Sequence, residues 1–275
     1  MEIALAVIPL AAAHLFLRIR TPLAAGKTLH PNYRGRPVSR WGGIILYLSC
    51  LPAGFILAGE RRLDMLVLLY LAGGLALLGL LDDWLGDDRS RGYTGHIRLF
   101  LREGVVSTGL IKAVFGTLLA LTAAAYAAEG LAALVVGGGV IALAANTLNS
   151  LDLRPGRAVK VFLALSLAAA ALSRSPGALL LLLPFLAALL AYLPHELGEK
   201  VMLGDSGANL LGGVFGFVFV LHSGLALQLA LLALLAGFQV FCEFYSFSRL
   251  VRRNSFLRWL DNLGRFFEEG EENEG

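Results

Sequence analysis

The stretch Leu63–Leu81, LDMLVLLYLAGGLALLGLL, is followed at once by Asp82 and Asp83. Its 19 residues include one charged side chain, Asp64, which lies near the N-terminal end. A helix needs about 20 mostly apolar residues to cross a hydrocarbon core of roughly 30 Å. Because only helices and closed barrels satisfy the backbone in lipid, a run of this length without alternation predicts a membrane-spanning helix that ends in two carboxylates.

Similar stretches recur along the chain of 275 residues, which is 57% apolar and 16% charged and has a mean hydropathy of +0.72. A soluble domain carries about 25% charged residues. We therefore predict an all-α, polytopic integral membrane protein with about nine transmembrane helices. The expected spans are residues 3–19, 42–58, 63–81, 110–127, 131–148, 158–173, 177–194, 207–222 and 224–244.

The basic residues predict the orientation of these spans. When the loops are assigned to alternating sides, 20 of the 23 Lys and Arg residues fall on one side, and the exceptions are Arg61, Arg62 and Arg174. The positive-inside rule makes the richer side cytoplasmic. We therefore expect the N-terminus outside and the C-terminus in the cytoplasm.

Composition and charge placement disfavour two classes of function. The net charge is +3 and the basic residues lie between the apolar stretches, so no basic face is left for nucleic acid. Ion-coupled carriers usually need charged groups near the membrane midplane. Here the ionisable residues Asp64, Lys112 and Glu243 all lie near span ends, which disfavours a transporter.

Four polar segments reach the cytoplasmic face under this topology, and the first is Asp82-Asp83. Adjacent carboxylates at a helix C-terminus repel each other and also face the negative end of the helix dipole. A bound divalent cation, or the counter-ion of a polyphosphate, would relieve both effects. The alternative is a solvated helix end that Arg89 and Arg91 neutralise.

The second segment closes the fifth span with Asn146, Asn149 and Asp152. Their spacing of three places them along one helical face. Two amides and a carboxylate suit the recognition of a hydroxyl or phosphate group, or the hydration shell of a metal. The alternative is a polar helix exit that Pro155-Gly156 terminates.

The third segment is Asp205, which Gly204 precedes and Gly207 follows. Glycines let a ligand approach the backbone closely. The alternative is that Asp205 is simply the N-cap of the eighth span.

Arginines in two cytoplasmic loops complete the set. Bidentate guanidinium groups bind phosphate well, although cytoplasmic loops carry arginines in any case. The candidates for substrate binding are Arg34, Arg36, Arg40, Arg154 and Arg157.

Carboxylates and arginines at one water–lipid boundary fit a particular reaction type. A magnesium ion would hold a nucleotide diphosphate while a phosphate carried by a membrane lipid attacks it. Such transfer depends on positioning and charge neutralisation more than on covalent chemistry.

The order and spacing of the motifs are similar to those of the polyprenyl-phosphate N-acetylhexosamine-1-phosphate transferase superfamily. The motifs that carry the resemblance are Gly42-Gly43 after the arginine loop, Asp82-Asp83, the run from Asn146 to Asp152, and Gly204–Gly207. The superfamily includes the phospho-N-acetylmuramoyl-pentapeptide transferases and the N-acetylglucosamine-1-phosphate transferases. The resemblance covers most of the chain.

The resemblance implies an enzyme of the bacterial cytoplasmic membrane, with its active site towards the cytoplasm. Such an enzyme moves a sugar-1-phosphate from a UDP-sugar to polyprenyl (undecaprenyl) phosphate, releases UMP and requires Mg²⁺. It serves cell-envelope glycan synthesis and can form a homodimer. Lys112 looks like the family's lysine at the opening of the fourth span, where it would pair with the lipid phosphate.

The resemblance also assigns roles to the other polar residues. Asp205 would ligate magnesium. Asp82 and Asp83 would lie beside the attacking lipid phosphate, as base or metal partners. Asn149 and Asp152 would help to hold the nucleotide.

Two segments depart from the family pattern. The family continues the asparagine motif as Asp-Gly-x-Asp-Gly, whereas this chain has Asp152-Leu-Arg154-Pro155-Gly156. The family's histidine cluster in the last cytoplasmic loop is replaced by Leu250–Arg265. A divergent sugar-1-phosphate transferase is the leading hypothesis, and a non-catalytic relative that binds polyprenyl lipid or envelope-assembly proteins is the alternative.

The chain divides into three expected regions. Residues 1–248 form the transmembrane domain that carries the site. In residues 249–267 apolar and basic residues alternate, as in an amphipathic helix that anchors at a membrane surface. The alternative for this segment is that its arginines replace the missing histidines. Residues 268–275 are expected to be a disordered acidic tail.

Overall fold

The computed structural model describes residues 2–23, 29–58, 62–86 and 92–265. The predicted acidic tail and the last two residues of the segment 249–267 lie outside these ranges. Helices dominate the described part of the chain. They are α1 Glu2–Leu23, α2 Gly42–Ala58, α3 Arg62–Leu85, α4 Gly92–Glu103, α5 Thr108–Ala127, α6 Leu131–Leu151, α7 Arg157–Ser173, α8 Pro176–Leu197, α9 Gly204–His222, α10 Leu225–Phe244, α11 Phe247–Arg253 and α12 Ser255–Asn262.

The long helices coincide with the predicted spans. By length and composition, six helices in the described part of the chain could cross a membrane, namely α3, α5, α6, α8, α9 and α10. The helix α2 is apolar but shorter. The polytopic helical fold is therefore as expected, whereas the count of nine spans and their orientation remain predictions. The short helix α4 was not predicted.

The helix α9 forms the centre of the bundle, and nearly all of its residues are buried. It packs mainly against α3 and α6. Close approach to α6 requires glycine at position 212, because a Cβ there would collide with the backbone of Ala144 and Ala145. Small residues at such contacts let membrane helices pack tightly. The start of α9, which carries Asp205, is thereby held firmly against its neighbours.

A small hairpin, which the sequence did not predict, shapes the arginine loop. The strands β1 (Leu29–Pro31) and β2 (Pro37–Ser39) pair antiparallel. The side chain of Asn32 stabilises the turn between them by accepting hydrogen bonds from the backbone N–H groups of Arg34 and Arg36 at 2.8 and 3.0 Å. Such an Asx-type contact favours a tight turn.

Backbone hydrogen bonds join this hairpin to the chain just before α9. Met202 donates its N–H to the carbonyl of Ser39 at 2.8 Å, and Gly42 donates to the carbonyl of Met202 at 3.1 Å. A Cβ at Gly43 would collide with the backbone of Ser206 and Gly207. The start of α2 therefore lies directly against the start of α9, and Arg40 is brought to the acidic residues of α3.

Candidate active site at the converging helix ends

Four helix ends meet at one point: the C-terminal ends of α3 and α6 and the N-terminal ends of α5 and α9. The ammonium group of Lys112 donates hydrogen bonds to Asp82, at 2.5 Å, and to Asp205. The amide of Asn149 donates to the same oxygen of Asp205 at 3.2 Å. Because charges are costly to hold near lipid, such a cluster is a candidate functional site. One cation here bridges two carboxylates from helices far apart in the sequence.

Asp83 has a different set of partners. It is 8% exposed, accepts a hydrogen bond from Arg40 at 3.3 Å and accepts another from the backbone N–H of Ser206 at 3.2 Å. A carboxylate at a helix N-terminus is stabilised by the helix dipole. Asp83 therefore fastens α3 and the arginine loop to α9.

This arrangement decides against the N-cap interpretation of Asp205. The N-cap position of α9 is Leu203, whose side chain makes no capping hydrogen bond, and Asp205 lies within the first turn. The carboxylate that receives the N–H of Ser206 comes from Asp83 instead. Asp205 is consequently directed to Lys112.

The three residues predicted to share one face of α6, Asn146, Asn149 and Asp152, have different surroundings in the structure. Asn146 donates to the side chain of Gln239 at 2.7 Å, and Asn149 turns to Asp205. Asp152 lies one residue beyond α6 and occupies the helix C-cap. Burial, with the nearby carboxylates of Glu196 and then Asp205 and Asp83, raises the pKa of Asp152 well above its usual range.

The five arginines predicted to bind substrate also differ in their partners. Arg34 pairs with Glu199 at 3.3 Å, Arg40 pairs with Asp83 and Arg157 pairs with Asp261. The guanidinium of Arg154 lies over the ring of Tyr33, 4.1 Å from its centroid. Arg36 is exposed at the hairpin turn. Three of the expected phosphate-binding residues thus already have carboxylate partners.

A cavity of about 670 Å³ extends from Lys112 and Asn149 between α3, α5, α6, α9 and α10. Its polar lining continues with Gln239 and Glu243 of α10, and its remaining wall is mostly apolar. The apolar and small residues of that wall include Leu75, Leu78, Ala113, Gly116, Ala142 and Leu143. The cavity therefore has a charged end and an apolar body.

Several polar partners were missed by the sequence reasoning. Gln239 could have been noticed, because it is a polar residue inside an apolar helix. Glu196 is 1% exposed and accepts a hydrogen bond from the backbone N–H of Gly156 at 3.3 Å. Glu199 and Asp261 lie in segments where acidic residues are ordinary, so no local signal distinguishes them.

The acidic residues fit a magnesium ion that is shared with a substrate. Among the described residues, no group of three His, Cys, Asp or Glu side chains forms a complete metal centre. Asp82 and Asp205 nevertheless present carboxylate oxygens to a single cationic group, that of Lys112. Mg²⁺ is usually held by one or two carboxylates and completed by phosphate oxygens and water. Two converging carboxylates meet that requirement.

The apolar helices, with a cluster of charged residues where their ends meet, indicate a polytopic membrane protein. The family model of glycosyl transferase family 4 matches residues 65–224, more than half of the chain. The chain belongs to this family, and the matched range contains Asp82, Lys112, Asn149 and Asp205. A comparison with curated proteins gave no match. Family membership supports a role as a sugar-phosphate transferase.

Proposed function

We propose that the protein transfers a sugar-1-phosphate from a UDP-sugar to polyprenyl (undecaprenyl) phosphate and releases UMP, in cell-envelope glycan synthesis. The observation that carries this proposal is the cluster of Asp82, Lys112 and Asp205, whose lysine lines the charged end of the cavity. Phosphoryl transfer between two anionic substrates needs such a mixture of charges, because repulsion between them must be offset.

The cavity suits the lipid acceptor. Its charged end would receive the acceptor's phosphate at Lys112, and its apolar wall would receive the first isoprenoid units. In the reaction, an oxygen of the lipid phosphate forms a bond to the phosphorus that bears the sugar. The bond between that phosphorus and the bridging oxygen of UMP breaks, and UMP leaves with the electron pair.

The acidic residues would bind the metal ion, accept a proton and position the helices of the site. Asp205 and Asp82 would hold Mg²⁺, which when bound neutralises charge on the diphosphate of the donor. Asp82 would also accept a proton from the acceptor phosphate. Asn149 orients Asp205, and Asp83 maintains the position of α9. Asp152 would contribute to the nucleotide side of the site.

The test is UMP release by purified protein with magnesium, undecaprenyl phosphate and a panel of UDP-sugars. Asp205→Asn and Asp82→Asn are expected to abolish release. Asp64→Asn is the matched control, because Asp64 lies at the opposite end of α3, where it accepts a hydrogen bond from the hydroxyl of Tyr126 at 2.6 Å.

Magnesium-dependent release that both site variants lose, and that Asp64→Asn retains, would establish the transferase and name its donor. Absence of release with every donor, from folded protein that still binds the lipid, would favour the non-catalytic alternative. The departures from the family pattern around Arg154 and Leu250–Arg265 are the observations that keep this alternative open.

A further inference from the structure

The C-terminal segment 246–265, which comprises α11, α12 and the residues that follow, is bound to the turn that carries Asp152. We call this segment the brace. Its central contact is a two-point ion pair: Nε and Nη2 of Arg157 donate to the two carboxylate oxygens of Asp261 at 2.6 and 3.0 Å. The side chains of Arg157 and Asp261 are only 6% and 10% exposed. Bidentate, nearly buried pairs are the most specific of ion pairs.

Two further cations strengthen this contact. Lys160 donates to the backbone carbonyls of Leu260, Asp261 and Leu263 at 2.9, 2.7 and 3.1 Å. These carbonyls lie at the C-terminal end of α12, where backbone acceptors lose their usual helical donors and a cation is favoured. Arg265 donates to Asp261 at 3.1 Å and to the carbonyl of Pro155 at 3.2 Å.

The turn is held from its other side as well. The backbone N–H of Gly156 donates to Glu196, a buried residue at the end of α8. The turn from Asp152 to Gly156 is therefore fixed between α8 and the brace. Since Asp152 and Arg154 both lie in this turn, their positions depend on the contacts of Arg157 with Asp261.

The brace does not touch the cavity proposed for the lipid. The residues that line the cavity belong to α3, α5, α6, α9 and α10, and neither the brace nor the Asp152–Gly156 turn contributes to the lining. Loss of the brace should therefore disturb the nucleotide side of the site and leave the lipid side unchanged.

We propose that Asp261 is a positioning residue that acts through Arg157 on the turn carrying Asp152 and Arg154, and that this contact sets the affinity for the nucleotide-sugar. This inference rests on the proposed function, because it assigns that turn to the donor. It predicts a selective effect on donor affinity, which a general loss of structure would not produce.

The experiment is a double-mutant cycle with Arg157→Ala, Asp261→Ala and the double variant. Arg157→Lys keeps the charge without the two-point geometry, and it serves as the milder variant should the alanine forms fail to fold. Arg258→Ala is the matched control, because Arg258 is an exposed arginine of α12. Hydrogen exchange of residues 152–160 and 246–265, KM for each substrate, and calorimetric binding of UDP are measured on full-length protein.

We expect each single alanine variant to raise KM for the UDP-sugar about tenfold or more, with KM for the lipid and kcat within about twofold. The double variant should be no worse than the more affected single variant, since the two residues act through one contact. Exchange should rise in both segments of the alanine variants. For Arg157→Lys, both the KM for the UDP-sugar and the exchange rate should lie between those of the alanine variants and the wild type. Both quantities should be unchanged in Arg258→Ala.

Unchanged donor KM despite faster exchange would overturn the inference and leave the brace a purely structural element. Equal changes in both KM values would also overturn it. If the wild-type protein shows no turnover but binds UDP, and the variants bind UDP more weakly, the proposed function fails while the inference stands. A wild-type protein that neither turns over nor binds UDP overturns both.

Discussion

The side-chain amide of Asn146 donates a hydrogen bond to the amide oxygen of Gln239 across 2.7 Å. Gln239 in turn donates to the hydroxyl of Thr147 at 2.8 Å, so two helices are joined by a short polar chain. Apart from this chain, α10 offers few buried contacts, since only Gln228 and Leu235 are buried within it. The pair Asn146–Gln239 therefore helps to hold α10, and with it one wall of the cavity, against α6.

We expect Gln239→Leu to lower the free energy of unfolding by about 1–3 kcal/mol, because Asn146 is left without its partner. The double variant Asn146→Leu with Gln239→Leu should recover most of this loss, since both polar groups are then removed. Thermal unfolding in detergent measures the difference. Val240→Leu, an exposed neighbour, is the control. A double variant with a lower free energy of unfolding than either single variant would contradict the interpretation.

Replacement of Lys112 tests the charged end of the cavity. Lys112→Met removes the cation between Asp82 and Asp205, so two carboxylates face each other without compensation. We expect turnover to fall at least about 100-fold, as when other charge-stabilising groups are removed from active sites. Lys112→Arg should retain part of the activity. Val114→Ala, at an exposed position of the same helix, should behave as wild type, and near-normal turnover by Lys112→Met would refute this role.

Arg154 and Arg34 can be compared, because in the described part of the chain only one of them is held by a carboxylate. Among the described residues Arg154 forms no ion pair and stacks on Tyr33, whereas Arg34 is bound to Glu199. A stacked guanidinium keeps its N–H groups available for an anionic ligand. We expect Arg154→Ala to raise KM for the UDP-sugar about tenfold, equivalent to about 1.4 kcal/mol. Arg34→Ala should instead lower thermal stability and change that KM less, and the reverse pattern in steady-state kinetics would contradict the assignment.

The ion pairs of the brace should give stability a defined pH dependence. Burial alone would raise the pKa of Asp261, but hydrogen bonds from Arg157 and the charges of Arg265, Arg157 and Lys160 outweigh it, so the pKa lies below its ordinary value. The unfolded chain has an ordinary carboxyl pKa of about 3.9. The ionised form therefore contributes stability above that pH, and the contribution is lost as the pH falls through the lower pKa of the folded protein.

Asp261→Asn removes this contribution at every pH. We expect the difference in melting temperature between wild type and Asp261→Asn to be constant from about pH 5 to 8 and to shrink below about pH 4. Differential scanning fluorimetry over this range provides the check. If the difference in melting temperature instead grew as the pH fell, the ionised form of Asp261 would not be the stabilising one.

Much of the fold could be predicted from local pattern alone. The runs that form α3 and α6 are long and apolar, and each ends in polar residues where the helix meets water. The same argument indicated that Asp82, Asn149 and Asp205 lie at one level of the membrane. It could not distinguish the neighbours of Asp82 from those of Asp83, because adjacent residues on a helix point about 100° apart and the facing helices were unknown.

The amino-acid sequence alone determined approximately where the long apolar helices lie and which charged residues stand at their ends. Those properties follow from the hydrocarbon thickness and from the cost of placing charge in lipid. Only the tertiary structure decided the partners: Lys112 between Asp82 and Asp205, and Arg157 on Asp261, 104 residues away. Arginines in a loop look alike in a sequence, and which of them is paired depends on distances between helices that the order of residues does not contain.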